Sequence, residues 1–399
     1  MSTTLVSRPA LPVALLSTAT ADTGGSISLA IDGGETILAH QIVALRHVGI
    51  TRFLIEVDTV PGVLIALADK IRDKGCSVDF IRSAHDLQNK LGLDETLLVN
   101  EEGVFIAPEL ISSILSKPGL FIATVDGRDE NANFERMDLN TRWAGLAVFG
   151  KETIAGLGSV PDGWSISSSL LRQAMQDEVS MRAVKQTHIQ QGDLRKISSS
   201  ADIEILTKQI LLDRSARERG FIESAIFGPA VTRLVPLVCR SASGLALLGG
   251  ATVMTAAVSL GFAALGWTGI ASASALAAIF MNSVFAVAHD PDLDGGATRW
   301  VGPVIWSLLA IAVLMAVRNS GYQIVDGIFS GAIMVGLALL SRQLRLPEWA
   351  EKILVSPALI AILILFLTPF SNLAQATKWI SLVQLFLLIT AKWSHKSRS

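Results

Sequence analysis

Residues 244–288 read GLALLGGATVMTAAVSLGFAALGWTGIASASALAAIFMNSVFAVA and contain no charged side chain. A bilayer core about 30 Å thick requires roughly 20 apolar residues per helix, so this stretch is long enough for two spans. Further apolar runs continue to Ala391 with only short polar interruptions, whereas most of the charge precedes about Arg219. The sequence therefore predicts a water-soluble domain fused to a helical membrane domain.

The composition of the 399-residue chain agrees with two environments. Hydrophobic residues make up 50% and charged residues 17%, and the mean hydropathy of +0.49 is high for a wholly soluble protein. The net charge of −2 argues against nucleic acid as a partner, because phosphate backbones are bound by clustered Lys and Arg. Cys76 and Cys239 lie far apart, which suits a reducing compartment without disulfides.

The first half alternates strand-like apolar runs with helix-like periodicity, which predicts a doubly wound α/β sheet in residues 1–197. Ligands bind beyond the carboxyl ends of the strands in such sheets, so the loops there should form the rim of a site. These loops are 17–25, 58–62, 100–103 and 126–131. The predicted strands are 12–16, 26–31, 51–57, 78–82, 96–100, 119–125 and 143–149, with helices at 35–49, 62–75, 108–117 and 167–178.

Residues 198–243 are expected to connect the two domains. The charged segment 198–219 is predicted to be a helical tether, and the apolar segment 221–240 contains Arg233, Pro229 and Pro236. The second segment is too short and too interrupted to cross a bilayer, so we expect it to lie along the membrane interface.

The membrane domain, residues 244–399, is predicted to contain six helices. Positive charge in short loops marks the cytoplasmic side, and it is concentrated between the fourth and fifth helices and after the sixth. An even number of spans then places the soluble domain, the C-terminus and loop 289–300 in the cytoplasm, as in a multi-pass protein of the cell (inner) membrane. The predicted helices are 244–267, 270–288, 301–317, 322–340, 353–369 and 379–391.

One stretch of the soluble half resembles a known family. Residues 27–57, ISLAIDGGETILAHQIVALRHVGITRFLIEV, are similar to sugar-phosphate nucleotidyltransferases, in which a strand and a helix precede Gly-Ile and a second strand. Together with the polytopic half, the order of domains resembles the bifunctional inositol-1-phosphate cytidylyltransferase and CDP-alcohol phosphotransferase fusions. The resemblance implies a homodimer that uses CTP or a CDP-alcohol and a membrane lipid.

The membrane half carries part of the phosphotransferase motif. That family has Asp-x-x-Asp-Gly-x-x-Ala-Arg followed by Gly-x-x-x-Asp-x-x-x-Asp, whose carboxylates hold divalent metal. Asp294 and Arg299 match it and are the implied catalytic residues, with Mg²⁺ or Mn²⁺ as cofactor. Pro291 replaces the first aspartate. The implied metal ligands are Asp290, Asp292 and Asp294, whereas Leu308, Ala312 and Ala316 stand where a glycine and two aspartates would be.

The nucleotidyltransferase motif is also incomplete. The family has a Gly-rich loop with Arg and Lys after the first strand, and here STATADTGGS (17–26) keeps Gly24 and Gly25 without a basic residue. Glu101, in NEEG (100–103), stands where the metal-binding aspartate is expected. The resemblance therefore implies that Gly24, Gly25 and Glu101 bind the cofactor.

Each motif has a simpler alternative. Asp290, Asp292 and Asp294 fit a polar turn between membrane helices, Glu101 fits a solvated turn, and the glycines fit ordinary turns. Three functions remain open at this point: a membrane transferase of a phosphoalcohol, a catalytically inactive relative that regulates an active homologue, and a small transporter. Only Asp326 supports the transporter, because it is the one carboxylate within a predicted span.

Overall fold

We analysed a computed structural model of the full chain. It describes residues 12–18, 31–32, 35–92, 95–158, 164–217, 223–239, 243–289, 300–318, 329, 332–333, 336–337, 356–367 and 373–396. Two compact units divide the chain, Met1–Ile205 and Leu206–Ser399. We refer to them as the α/β unit and the helical unit.

The α/β unit is built on a seven-stranded sheet with the order β10-β8-β9-β6-β1-β4-β5. Every neighbouring pair is parallel except those made by β9, which runs antiparallel to both β6 and β8. The strands are β1 (Val13–Ser17), β4 (Arg52–Glu56), β5 (Ser77–Ile81), β6 (Leu97–Asn100), β8 (Phe121–Asp126), β9 (Thr141–Phe149) and β10 (Met181–Ala183).

The sheet is therefore a mixed α/β sheet; the sequence predicted a doubly wound α/β sheet and left the direction of β9 open. Residues 127–140 between β8 and β9 contain only a short 3₁₀ turn, Asp129–Asn131, and no crossover helix. A strand can return antiparallel without a crossover helix, whereas a parallel return needs one. Two small antiparallel ladders complete the unit: β2 (Ile31–Asp32) with β3 (Glu35–Thr36), and β7 (Val104–Ile106) with β11 (Leu194–Lys196).

Helices cover the sheet and close its core. On one face, Val13, Leu15 and Leu54 pack with the fully buried Trp143 and with side chains of α3, α5 and α6. Thr36 and Ser83 accept hydrogen bonds from the first turns of α1 and α3, which fixes where these helices begin. The helices are α1 (Ile37–His47), α2 (Gly62–Asp73), α3 (Ala84–Lys90), α4 (Pro108–Leu115), α5 (Lys151–Ala155), α6 (Ile166–Gln176) and α7 (Gln186–Gln191).

Most of the predicted strands and helices of this unit appear within two residues of their expected bounds. The predicted strand 26–31 lies almost wholly outside the described residues. The sequence missed β7, β10, β11, α3, α5 and α7. These elements span three to seven residues, which is too short to show a period of 2 or 3.6.

Among the described residues of the helical unit, three helices are long and apolar enough to cross a bilayer: α10 (Gly244–Ala264), α11 (Thr268–Ala288) and α12 (Val301–Arg318). The remaining predicted spans are not shown, because α13 has 11 residues and the apolar part of α14 is Lys378–Thr390. The predicted helix 322–340 lies mostly outside the described residues. The bounds are α8 (Ser200–Arg217), α9 (Gly228–Cys239), α10 (Gly244–Ala264), α11 (Thr268–Ala288), α12 (Val301–Arg318), α13 (Pro357–Leu367) and α14 (Leu373–Lys396).

Small and hydroxyl side chains hold the helices of this unit close together. Ser259 Oγ of α10 donates a buried 2.8 Å hydrogen bond to the carbonyl of Ala271 in α11. Gly249 lies so near α11 that a Cβ there would be 3.1 Å from the ring of Phe285. Leu211 of α8 packs with α9 and with the carboxyl end of α11, including Val235 and Val287. Close approach of this kind is typical of helices that associate in membranes.

Candidate functional site

The strand order places a crevice at the carboxyl edge of the sheet. Strand β1 lies between β4 and β6: the chain passes from β1 to β4 and β5 on one side and then crosses to β6 on the other side. This reversal is the point at which open α/β sheets bind ligands. The residues at the carboxyl ends of the three strands are Ser17, Glu56 and Asn100, and Glu101 follows directly.

Glu101 is paired with a cation at this edge. Lys196 Nζ lies 2.5 Å from Glu101 Oε1 and donates a 2.9 Å hydrogen bond to the carbonyl of Glu102. The side chains of Lys196 and Glu101 are only 18% and 15% exposed. The pair is held by backbone pairing, because Lys196 ends β11 opposite Val104, and Val104 N–H donates to the carbonyl of Glu101.

Several polar atoms at this edge of the sheet make no hydrogen bond within the described part of the protein. They are both side-chain atoms of Asn100, Gln41 Oε1 and Glu101 Oε2. Asn100 is 1% exposed, and Gln41 Nε2 donates to the carbonyls of Glu101 and Val104. Buried polar groups without partners are uncommon, so these atoms favour an additional partner, which can be ordered water or a ligand.

Glu56 is a second buried carboxylate at the same edge. Its Oε1 accepts a 3.1 Å hydrogen bond from Ile166 N–H, the first residue of α6, while Oε2 has no partner among the described residues. Register pairs Glu56 with Ser17 and Asn100 with Leu16. Since successive side chains alternate between faces, Glu56 and Asn100 lie on opposite faces of the sheet and do not form one constellation.

The electrostatics of the edge are acidic. Burial raises the pKa of Glu101, opposed by Lys196, and the neighbouring Glu135 and Glu102 raise it further. Burial also raises the pKa of Glu56, and its hydrogen bonds to Ile166 and Ser17 only partly offset that effect. Carboxylates at this edge repel a triphosphate unless a cation neutralises their negative charge.

The carboxyl end of β8 adds no ligand to this group. Asp126, in the predicted rim loop 126–131, is exposed and pairs with Arg128 at 2.8 Å. Asn131 Nδ2 donates to the carbonyl of Asp126 and to Gln186. Throughout the part of the chain that the structure describes, no three His, Cys, Asp or Glu side chains come together as a metal-binding group.

Several residues predicted for the sites lie outside the described residues: Gly24, Gly25, Asp290, Asp292, Asp294 and Arg299. The flanks of the aspartate segment are described, since α11 ends at Ala288 and α12 begins at Val301. Of the predicted site residues only Glu101 is placed, and the structure gives it a lysine partner.

Sequence reasoning missed Lys196, Glu56 and Gln41. A signal was present for Glu56, because it ends the apolar run Phe53–Ile55 and so is a charged residue at the end of a buried strand. Lys196 carried no comparable signal, because its partner Glu101 is 95 residues away. Only the pairing of β11 with β7 brings them together.

The described residues of the α/β unit also form a concave feature away from this edge. A groove of about 270 Å³ lies near the amino end of β6, lined by Gln88, Leu91, Glu95, Lys151 and Ile154 among others. Gln88 already donates to the carbonyl of Ile154, and Glu95 is already paired with Arg52. Because Gln88 and Glu95 already have partners, we place the candidate site at the carboxyl edge instead.

No protein-family model and no curated protein sequence matches this chain, whereas solved structures do. One of them is a protein from Bacillus anthracis assigned as a glucose-1-phosphate thymidylyltransferase, in complex with sucrose. The match covers 44% of this chain and 87% of that chain, with 10% sequence identity and a TM-score of 0.35. The chemistry of the site must therefore be argued from its own residues.

Proposed function

We propose that this protein is a membrane-bound transferase of the CDP-alcohol phosphotransferase type. The helical unit would transfer a phosphoalcohol from a CDP-activated donor to an alcohol or lipid acceptor. The observation that carries the proposal is the position of Asp294, Gly295 and Arg299, which fall between α11 and α12, two helices long enough to span a bilayer. In this proposal α11 and α12 both cross the bilayer, and their connecting sequence meets the membrane surface, where a lipid acceptor can reach a soluble donor.

In this proposal each residue of the segment has a defined role. Asp290, Asp292 and Asp294 are the ligands of Mg²⁺ or Mn²⁺, which neutralises the donor pyrophosphate, and Arg299 contacts phosphate. The lysine and arginine residues of the later loops support a cytoplasmic location for this surface in the cell (inner) membrane. We also propose a homodimer, as the resemblance implies.

The test uses the full-length protein in lipid nanodiscs with CDP-diacylglycerol, CDP-choline or CDP-glycerol and a lipid or alcohol acceptor. We expect CMP release that requires Mg²⁺ or Mn²⁺. Asp294→Asn should reduce it by about 100-fold or more, because losing even an outer partner of a metal site costs about 10- to 100-fold. Asp73→Asn, an exposed position on α2, is the matched control and should keep full activity.

A second function is favoured by a specific observation in the α/β unit. Loop 17–26 contains no lysine or arginine, and Lys196 neutralises the acidic residue where the family places a metal ligand. Both features suit an inactive relative that regulates an active homologue. Absence of CMP release from every donor, with Asp294→Asn and the unaltered protein indistinguishable, would favour this function over the transferase.

A further inference from the structure

The chemistry at the carboxyl end of β6 does not fit a divalent metal. Mg²⁺ prefers several hard oxygen ligands in near-octahedral geometry. Glu101 Oε1 and the carbonyl of Glu102 are oxygens of this kind, but both are taken by the ammonium of Lys196, at 2.5 and 2.9 Å. A metal bound to the same two oxygens would lie next to a fixed positive charge.

The surrounding structure fixes that ammonium firmly. Strand β11 pairs with β7 from Leu194 to Lys196, and Ile197 N–H donates a 2.7 Å hydrogen bond to the carbonyl of Gly103. These bonds hold the backbone of Lys196 against the loop that carries Glu101. A lysine that is 18% exposed and anchored on both sides has little freedom to move away from its carboxylate.

Two other oxygens at this edge without a partner among the described residues, Gln41 Oε1 and Asn100 Oδ1, are neutral amide oxygens and give a metal no second carboxylate. Gln41 donates to the carbonyls of Glu101 and Val104. The second oxygen of Glu101 is left as the one carboxylate atom of this pair without a partner in the described part of the chain. One such oxygen beside a lysine is a poor site for a divalent cation and a good site for a neutral hydrogen-bond donor.

We propose that the ammonium group of Lys196 permanently occupies the cation position at this edge of the sheet. Its ammonium takes the place that a divalent metal would take on Glu101, so the α/β unit binds no divalent metal through Glu101. Lys196, which cannot dissociate as a metal ion can, supplies positive charge at the position where the resemblance implies a metal. This proposal is independent of whether the helical unit is a transferase.

The test counts bound Mn²⁺ by electron paramagnetic resonance on the full-length protein in nanodiscs. Glu101→Gln should bind the same number of ions as the unaltered protein. Lys196→Asp should bind one more ion, and adding Glu101→Gln should remove that ion again. Lys185→Asp is the control, since Lys185 is exposed and its replacement changes the net charge equally to Lys196→Asp; it should gain no ion.

A local measurement keeps the test decisive if Lys196→Asp does not fold. The methyl groups of Val104, the register partner of Lys196, report on nearby paramagnetic Mn²⁺ by line broadening. We expect no broadening in the unaltered protein. Broadening that Glu101→Gln abolishes, or one ion fewer in Glu101→Gln, would overturn the proposal. So would a folded Lys196→Asp variant that gains no ion. Loss of Mn²⁺ in Asp294→Asn instead reports on the helical unit alone.

Discussion

Ser356 Oγ donates a 2.6 Å hydrogen bond to Glu223 Oε2 in the helical unit, joining positions 133 residues apart. The other carboxylate oxygen accepts a 2.9 Å hydrogen bond from Ala358 N–H in the first turn of α13. Both Glu223 and Ser356 are buried. The first N–H groups of a helix lack partners within the helix, so a carboxylate there satisfies them and interacts favourably with the helix dipole.

Replacing Glu223 should destabilise the helical unit. Glu223→Ala leaves Ser356 Oγ and Ala358 N–H buried without an acceptor. Hydrogen bonds to charged groups contribute about 1.5–3 kcal/mol each, so we expect the free energy of unfolding to fall by about 3 kcal/mol. Glu223→Gln retains one acceptor and should lose less. SDS titration in mixed micelles measures the change, with the exposed Glu204→Gln on α8 as control. Equal stability of Glu223→Ala and this control would contradict the assignment.

Glu56 should make the stability of the α/β unit depend on pH. Burial raises its pKa, so the folded state holds this proton more tightly than the unfolded state. The contribution of Glu56 is therefore most favourable below the unfolded pKa, about 4.3, and is lost as the pH rises through the folded pKa.

Glu56→Gln removes this titration and still offers an oxygen to Ile166 N–H. We expect the variant to gain thermal stability relative to the unaltered protein, by more at about pH 8 than at about pH 5. Differential scanning fluorimetry at both pH values measures the two differences. Asp73→Gln, at an exposed position, should show no such trend. A Glu56→Gln effect that is the same at both pH values would show that this carboxyl group is not the titrating one.

Gly145 should not tolerate a side chain. Its φ is +79°, and a Cβ there would lie 2.6 Å from Val104 Cγ2. Its carbonyl also accepts the N–H of Glu101, so a shift at Gly145 moves the candidate site. We expect Gly145→Ala to destabilise the unit by about 2–4 kcal/mol, from backbone strain and overpacking together. Gly62→Ala has open space at the start of α2 and should be neutral or slightly stabilising in the same thermal melt.

The hydrogen bond between α10 and α11 should contribute little. Ser259 donates to the carbonyl of Ala271 within the apolar helices. Interhelical hydrogen bonds of this kind average about 0.6 kcal/mol, because the unfolded chain in the membrane also finds partners. Ser259→Ala should therefore change the unfolding free energy by less than about 1 kcal/mol in SDS titration. Ser274→Ala, where the hydroxyl bonds within its own helix, is the matched control.

The sequence alone determined the division of this chain and most of its long elements. Apolar length separates the helical half, because crossing a bilayer requires about 20 apolar residues, and α10 to α12 follow that rule. Apolar runs and hydrophobic periodicity located β1, β4, β6 and α1 to within two residues, because those signals are local to each element.

Only the tertiary structure decided the direction of β9 and the partner of Glu101. Whether β9 runs parallel or antiparallel depends on which strands flank it, and the residues of β9 are equally apolar in both cases. Lys196 and Glu101 are 95 residues apart, and a three-residue strand pairing brings them to 2.5 Å. The sequence thus identified an acidic residue at the edge of a sheet, but its charge partner depends on contacts that no local pattern encodes.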